Sequence, residues 1–191
     1  MEQSQSHSAP VAIDALAERL DRPVVLVGMM GVGKSSVGKR LANLLGFSFV
    51  DADDEIEESA RMTIPEMFDE YGETYFRDGE RRVIARLIEE SGGKQIIATG
   101  GGAFCNPQTR ALILAKAVAV WLDADIDTLV ERTSRKDNRP LLREGNPREI
   151  LARLHAERKD AYACAQVHVR SGKGPHAETI DAIIRGLARW Q

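Results

Sequence analysis

Short apolar runs alternate with amphipathic stretches along most of the chain. The β-rich runs cover residues 23–27, 47–51, 95–99, 118–122 and 167–170, and helical patterns separate them. Strands that alternate with helices predict a parallel sheet covered by helices on both faces. We therefore expect an α/β fold with a sheet of about five strands.

The first twenty residues stand apart from this alternation. Apolar residues recur there with helical spacing, which predicts a short amphipathic helix over 11–20: Val11, Ile13, Leu16, Ala17 and Leu20. We expect residues 1–10 to be disordered. Residues 1–20 are accordingly interpreted as an extension, and residues 21–191 as one domain.

A glycine-rich segment follows the first apolar run. Residues 28–35 read Gly-Met-Met-Gly-Val-Gly-Lys-Ser, which fits the G-x-x-x-x-G-K-[ST] pattern of a phosphate-binding loop. Inward backbone N–H groups and the positive end of the next helix attract phosphate in such a loop. Lys34 is expected to reach the β- and γ-phosphates and Ser35 to hold Mg²⁺. The chain is therefore predicted to bind ATP or GTP.

Composition narrows the class of protein. With 191 residues, 43% of them hydrophobic, the chain is long enough for one well-buried domain. The net charge of -3 argues against a dedicated nucleic-acid binder, and no apolar run has the length of a membrane span. The amino terminus lacks the regions of a signal peptide, so we expect a cytoplasmic protein, with a monomer as the default. Cys105 and Cys164 form neither a disulfide framework nor a metal site, and both are expected to be buried.

Two carboxylates close the second predicted strand. Ligands of parallel sheets bind beyond the carboxyl ends of the strands, so Asp51 and Asp53 are expected near the phosphate-binding loop. Phosphoryl transfer to a hydroxyl needs a carboxylate that orients or deprotonates it, which favours a functional role for both. The alternative is an acidic helix start with a solvated face, and we prefer it for the next acids along the chain: Glu55, Glu57 and Glu58.

Two arginines lie on helix faces that otherwise carry apolar residues. Arg77 precedes Ile84 by seven residues, and Arg158 lies among leucines on the face of a later helix. An inward arginine binds an anion, so both fit a substrate that carries a carboxylate. From spacing alone, pairing of Arg77 with Glu73 or Glu80 is an equally good interpretation.

Two further segments are set apart by composition. Gly100, Gly101 and Gly102 follow the third strand, where bare backbone can approach a ligand. The run from 132 to 159 contains nine basic residues against four acids, in a chain of net charge -3. Its middle, 134–146, is polar and broken by Pro140, which is typical of a mobile lid that brings arginines onto phosphate. An ordinary solvated loop is the alternative.

Together these motifs resemble the shikimate kinase family. The resemblance rests on the phosphate-binding loop, the Asp-x-Asp after the second strand, Gly-Glu-Thr-Tyr-Phe-Arg over 72–77, the three glycines and Arg-Pro-Leu-Leu over 139–142. It implies a three-layer α/β/α P-loop kinase fold with strand order 2-3-1-4-5, an acceptor-binding helical region over residues 53–82 and a lid over 132–144. It also implies transfer of the γ-phosphoryl group of ATP, with Mg²⁺, to the 3-hydroxyl of shikimate in aromatic amino-acid biosynthesis.

The resemblance further implies a role for individual residues on the acceptor side. Asp53 looks like the residue that binds the acceptor hydroxyls and serves as base, with Lys34 and Arg139 as the other catalytic residues. Arg77 and Arg158 match the arginines that clamp the shikimate carboxylate. The backbone of the three glycines is similar to the family's acceptor-site lining.

On the donor side, the resemblance gives Asp51 a metal role beside Ser35, through a Mg²⁺-bound water. The residues that it assigns to the nucleotide are Gly31, Val32, Gly33, Lys34, Ser35, Ser36, Arg132, Arg139 and Lys173. Lys173 is placed only by its position in a segment that aligns poorly with the family's adenine-stacking loop.

Two other kinds of kinase and a GTP-dependent switch are the alternatives to this interpretation. A kinase of another sugar acid, such as gluconate, would use the same core and the same two arginines. A nucleoside monophosphate kinase is disfavoured, because acids offset the few basic residues of the acceptor region. A GTP-dependent switch needs an N-K-x-D motif, and the sequence Lys-Asp-Asn-Arg over 136–139 has the wrong order.

One acid and the histidines receive no functional role. Asp123 ends the fourth apolar run, where a generic P-loop protein carries its metal-binding aspartate. Because the resemblance gives that role to Asp51, we interpret Asp123 as an N-cap or turn residue before a helix that starts near Ile126. The four histidines show no metal-ligand spacing.

Overall fold

The computed structural model describes residues 13–134, 145–172 and 174–190. Three expectations lie outside these residues: disorder of residues 1–10, the central part of the lid with Arg139, and the contact of Lys173 with adenine.

Five short parallel strands form the sheet. They are β1 (Val24–Val27), β2 (Ser48–Asp51), β3 (Gln95–Ala98), β4 (Val118–Asp123) and β5 (Val167–Arg170). Their order across the sheet is β2-β3-β1-β4-β5, and the central β1 is fully buried. A strand that is buried on both faces has no polar alternation, which is why β1 reads as a continuous apolar run. The predicted strands and their order are confirmed.

Eight α-helices of the described residues connect and cover these strands. They are α1 (Ile13–Arg19), α2 (Lys34–Leu45), α3 (Ala52–Ala60), α4 (Ile64–Glu90), α5 (Pro107–Lys116), α6 (Ile126–Ser134), α7 (Pro147–Tyr162) and α8 (His176–Trp190). They lie on both sides of the sheet, which confirms the three-layer prediction. A 3-10 turn at Ala103–Cys105 separates β3 from α5.

The amino-terminal helix α1 packs into the main core. Leu16 and Leu20 are 2% and 0% exposed and belong to the same apolar cluster as β1. Lys94 stabilises the carboxyl end of α1. Its Nζ donates to the carbonyl of Leu20 at 2.7 Å and to that of Ala17. Cations at the last carbonyls of a helix stabilise it.

A second, smaller cluster lies between α3 and α4. Ile56 of α3 packs with Met67 and Phe76 of α4, apart from the main core. Thr63 and Glu66 form a reciprocal capping box at the start of α4, and Gly72 interrupts that helix with φ 80°. The carboxyl end of β2 therefore leads directly into a helical pair beside the sheet edge.

The cysteines differ from the expectation that both are buried. Cys105 is partly buried, whereas Cys164 is exposed near the end of α7. The prediction for Cys164 was wrong because it rested on residue type alone, and this cysteine lies in the exposed turn that follows α7. Among the described residues, no helix is both long enough and apolar enough to cross a bilayer.

Candidate active site

The phosphate-binding loop joins β1 to α2 at the carboxyl edge of the sheet. Gly28 has φ 137°, and a Cβ atom there would collide with the carbonyl oxygen of Leu122 in β4. Gly33 has φ 101° and caps the start of α2. Both backbone conformations are strained for other residues, so glycine is required for the loop to curl against β4. The amino end of α2 thus faces the open edge of the sheet.

Lys34 lies over the loop that precedes it. Its Nζ donates to the carbonyl oxygens of Gly28 at 2.8 Å and of Met29 at 3.0 Å. The ammonium group therefore sits at the loop, where the helix start and the backbone N–H groups attract anions. Phosphate oxygens fit this position as partners of the lysine.

Ser35 and Asp51 lie together beside the loop. The Ser35 hydroxyl donates to Oδ2 of Asp51 at 2.6 Å, and Oδ1 of Asp51 accepts from the backbone N–H of Asp53 at 3.2 Å. Asp51 therefore caps α3 and faces the phosphate-binding loop at the same time. A hydroxyl and a carboxylate are hard oxygen donors, which Mg²⁺ prefers. The pair fits a Mg²⁺ ion that takes its remaining ligands from phosphate and water.

Arg132 links the phosphate-binding loop to the segment after β5. Its Nη1 donates to the carbonyl of Val32 at 2.9 Å, and its Nη2 donates to the carbonyl of Gly172 at 2.6 Å. The buried Ser171 completes the contact, since its hydroxyl also donates to the Val32 carbonyl at 3.2 Å. Arg132 lies in the last turn of α6, at the first position of the predicted lid. A guanidinium group is thus held beside the phosphate-binding loop.

The three glycines after β3 make room for charged side chains. A Cβ on Gly100 would lie 2.7 Å from Oδ1 of Asp53, and a Cβ on Gly101 would lie 3.3 Å from Nη1 of Arg158. A Cβ on Gly102 would lie 2.8 Å from Cζ of Arg77. Glycine is needed here for space, because only a bare backbone lets these side chains approach so closely. Gly100 also lies beside Oε1 of Glu80, at 3.2 Å from the same Cβ position, so two carboxylates and two guanidinium groups line a single turn.

Arg77 pairs with both Glu73 and Glu80, the two partners that its spacing on the helix allows. Its Nη1 donates to Oε2 of Glu80 at 2.7 Å, and its Nε donates to Oε1 of Glu73 at 3.4 Å. Glu80 is 1% exposed, whereas the Arg77 side chain is 21% exposed. Burial raises the pKa of the Glu80 carboxyl, and the adjacent guanidinium opposes that rise. Glu80 thus holds Arg77 in place against Gly102 while leaving it open to an anion.

Asp53 is in an environment that disfavours its charge. Burial, and next the negative charge of Asp51, raise the pKa of Asp53 from 3.8 to about 6, although Lys34 acts in the opposite direction. A carboxylate with a raised pKa holds a proton more tightly than one in water. Asp53 can therefore accept a proton from a nearby hydroxyl group.

The face of α7 that carries Arg158 is attached to the same turn. The hydroxyl of Tyr162 donates to the carbonyl of Gly101 and lies 3.9 Å from Sδ of Met29 in the phosphate-binding loop. Tyr162 is fully buried, and burial raises the pKa of its phenol. Leu151 is also fully buried, which confirms the predicted inward face of α7. Tyr162 therefore connects the phosphate-binding loop, the glycine turn and α7.

Asp123 does not have the role that the sequence suggested. The side chain that caps α6 is Asp125, whose Oδ1 accepts from the backbone N–H of Thr128 at 2.8 Å. Asp123 remains in β4, and its Oδ1 lies 3.0 Å from Nε2 of His155. The prediction failed because α6 begins three residues after Asp123, too far for its side chain to reach the first turn.

The structure brings most of the predicted residues to one edge of the sheet. Around the phosphate-binding loop lie Lys34, Ser35, Asp51 and Arg132, and around the glycine turn lie Asp53, Arg77 and Arg158. Ser36 is exposed in the first turn of α2. Arg139 and Lys173 lie outside the residues described.

Two residues of this edge, Glu80 and Tyr162, had no function predicted from the sequence. The spacing of Arg77 and Glu80, three residues apart on one helix, was a usable signal for their pairing. Nothing local in the sequence indicates the bond from Tyr162 to Gly101, because these residues are 61 positions apart.

Comparison with known proteins agrees with this geometry. The family model described as shikimate kinase matches residues 30–188. A shikimate kinase from Novosphingobium aromaticivorans is 60% identical over 180 residues, which cover 93% of each chain. One from Caulobacter vibrioides is 56% identical over 177 residues, covering 93% of this chain and 88% of the other.

A solved structure is similar in both fold and sequence. Shikimate kinase from Acinetobacter baumannii in complex with shikimate superimposes with a TM-score of 0.83 at 32% identity, covering 91% of this chain and 97% of the other. The family model matches most of the chain, and the relative from Novosphingobium aromaticivorans is 60% identical to it. Both findings agree with the observed strand order and with the glycine turn. This chain belongs to the shikimate kinase family.

Proposed function

We propose that the protein transfers the γ-phosphoryl group of ATP to the 3-hydroxyl of shikimate, giving shikimate 3-phosphate and ADP, in aromatic amino-acid biosynthesis. The observation that carries this proposal is the convergence of Asp53, Arg77 and Arg158 on three consecutive glycines beside a phosphate-binding loop. Membership of the shikimate kinase family supports the same acceptor, and the relative from Acinetobacter baumannii is a complex with shikimate.

Arg77 and Arg158 bind the acceptor carboxylate in this proposal. Their guanidinium groups lie at adjacent residues of one turn, Gly102 and Gly101, so one carboxylate can accept hydrogen bonds from both. Each charge-assisted hydrogen bond contributes about 1.5 to 3 kcal/mol. Glu80 fixes Arg77 through its hydrogen bond, which lowers the entropy that the arginine loses when the acceptor binds. The acceptor-binding region is residues 53–82, together with the glycine turn and Arg158.

Asp53 orients the 3-hydroxyl and accepts its proton. As the hydroxyl oxygen forms its bond to the γ-phosphorus, the O–H bond breaks and the proton moves to a carboxylate oxygen of Asp53. The bond between the γ-phosphorus and the β-bridging oxygen breaks in line, and ADP leaves with that oxygen. The raised pKa of Asp53, about 6, suits a group that must accept this proton near neutral pH.

The phosphate-binding loop holds the donor. Lys34 exchanges its contacts with the loop carbonyls for the β- and γ-phosphates, and the N–H groups of residues 31–36 bind the phosphate chain. Ser35 and Asp51 would hold Mg²⁺, Asp51 through a water molecule, and the ion would neutralise charge on the transferred group. Arg132, Arg139 and Lys173 contact the nucleotide, and the lid over 132–144 excludes water when it closes.

The catalytic unit is proposed to be a monomer in the cytoplasm. The carboxylate and both arginines of the acceptor site come from one chain, so a second copy is not needed to complete it. The cytoplasm supplies ATP, and its reducing conditions suit the two free cysteines, Cys105 and Cys164. Size-exclusion chromatography with light scattering at micromolar concentration tests the monomer directly.

Release of ADP from Mg-ATP tests the proposed reaction. Shikimate, gluconate, AMP and a sample without acceptor are compared under the same conditions, and phosphorus NMR identifies the product. We expect strong stimulation by shikimate alone, at about 1 to 100 turnovers per second, with phosphate on the 3-hydroxyl. Turnover with gluconate or AMP but not with shikimate would retain the phosphate-binding core and reject the acceptor.

A further inference from the structure

His155 and Asp123 form a contact that the proposed reaction does not use. Nε2 of His155, in α7, lies 3.0 Å from Oδ1 of Asp123, the last residue of β4. An ionised carboxylate only accepts hydrogen bonds, so the imidazole donates from Nε2 whether it is neutral or charged. The contact therefore joins the middle of α7 to the sheet edge where the candidate active site lies.

The same face of α7 carries a group of the acceptor site. His155, Arg158 and Tyr162 are three and four residues apart, so they are neighbours along one side of the helix. Tyr162 donates to the carbonyl of Gly101 at the carboxyl end of this face. Arg158 lies between the two contacts, with Nη1 beside Gly101. The arginine is thus mounted on a stretch of helix that is attached to the sheet edge on both sides.

A second ion pair between α7 and a neighbouring element, among the described residues, has a different geometry. Arg148 pairs with Asp127 of α6, which links the two helices to each other and not to the sheet. Both of its side chains are well exposed, at 59% and 62%, against 25% and 32% for His155 and Asp123. Exposed ion pairs contribute little to stability, so Arg148 provides a matched control on the same helix.

We infer that His155 is a positioning residue for the acceptor carboxylate. Its hydrogen bond to Asp123 fixes the rotation of α7 about its axis and so aims Arg158 at the acceptor. Without this bond, α7 stays attached through Tyr162, but the turn that carries Arg158 is less constrained. The inference rests on the proposed function, in which Arg158 binds the shikimate carboxylate. It concerns the acceptor and not the nucleotide, which binds at the other end of the site.

The first test compares the Michaelis constants for the two substrates. His155→Ala should raise the KM for shikimate about three- to tenfold, the effect of one hydrogen bond, while kcat and the KM for ATP change less than about twofold. His155→Gln keeps an N–H donor of similar reach and should restore the KM for shikimate to within about twofold of wild type. Arg148→Ala should leave the KM for shikimate unchanged. An equal rise in both Michaelis constants, or no rescue by glutamine, would overturn the inference.

The second test is a double-mutant cycle with Arg158. Arg158→Ala alone should raise the KM for shikimate, and adding His155→Ala should give no further rise, because the histidine acts through the arginine. Additive effects would overturn the positioning role and leave the proposed function intact. An unchanged KM in Arg158→Ala would instead reject the carboxylate clamp and the inference with it. If His155→Ala does not fold, Asp123→Ala makes the same comparison from the sheet side.

Discussion

Asp53 combines a proposed catalytic role with an environment that disfavours its charge. Its pKa is raised from 3.8 to about 6, chiefly by burial, so the folded protein binds this proton more tightly than the unfolded chain does. The free energy of unfolding therefore falls as the pH rises from 3.8 to about 6, and the loss stays constant above that range. A functional carboxylate at this position lowers the stability of the fold at neutral pH.

Asp53→Asn should therefore stabilise the metal-free protein at pH 7. The rise in the pKa of Asp53 from 3.8 to about 6 corresponds to an increase of at most about 3 kcal/mol in the free energy of unfolding. Urea unfolding in EDTA at pH 7 and pH 4 measures it, with Glu58→Gln, an exposed acid of α3, as the control. The difference should shrink strongly at pH 4. A gain of equal size at both pH values would exclude ionisation of Asp53 as its cause.

The same Asp53→Asn variant should lose turnover with shikimate while its affinity for ATP stays close to wild type. The amide cannot accept the proton of the acceptor hydroxyl, whereas the groups that hold phosphate are unchanged. Steady-state kinetics and titration calorimetry with Mg-ATP measure the two properties separately. Near-normal turnover would remove Asp53 from the mechanism.

Gly102 should not tolerate a side chain, although its backbone has ordinary dihedral angles. A Cβ there would lie 2.8 Å from Cζ of Arg77, so Gly102→Ala should displace the guanidinium and raise the KM for shikimate by about tenfold or more. Gly79→Ala is the control, because a Cβ at Gly79 in α4 would have no atom within 4 Å besides its chain neighbours and the backbone of its own helix. Steady-state kinetics measure the effect. An unchanged KM for shikimate in Gly102→Ala would separate the glycine turn from the acceptor.

Helix α1 should contribute to the stability of the whole fold. Leu16 is 2% exposed within the main core, so Leu16→Ala should lower the free energy of unfolding by about 2 to 5 kcal/mol. Leu44→Ala, at a leucine that is 43% exposed, should change it by less than about 0.5 kcal/mol. Urea unfolding compares the two variants. Equal effects would mean that α1 does not contribute to the core in solution.

The elements themselves were largely predictable from the sequence. A strand buried on both faces must be apolar throughout, which made β1 and β4 recognisable, and a phosphate-binding loop fixes where α2 begins. Gly72, with φ 80°, interrupts α4, and helical periodicity does not encode such an interruption. The start of α6 was predicted, but its capping residue was misidentified as Asp123 instead of Asp125.

At the scale of the whole molecule, the sequence indicated which residues function but not how they are held. Residues at the carboxyl ends of neighbouring parallel strands must meet, so Asp51, Asp53 and the three glycines could be grouped in advance. The contacts from Tyr162 to Gly101 and from His155 to Asp123 join residues 61 and 32 positions apart, respectively. Such contacts depend on how α7 packs against the sheet, for which the sequence has no local pattern.

In the proposed reaction, Arg77 and Arg158 bind the acceptor carboxylate while Asp53 faces the acceptor hydroxyl. The most direct measurement is kcat/KM for shikimate and for its neutral carboxamide, in the wild type and in an Arg77→Ala, Arg158→Ala double variant. Two charge-assisted bonds predict that the wild type prefers shikimate by a factor of about 100 or more. The double variant should lose most of this preference. Equal use of both acceptors by the wild type would show that the two arginines do not bind the carboxylate.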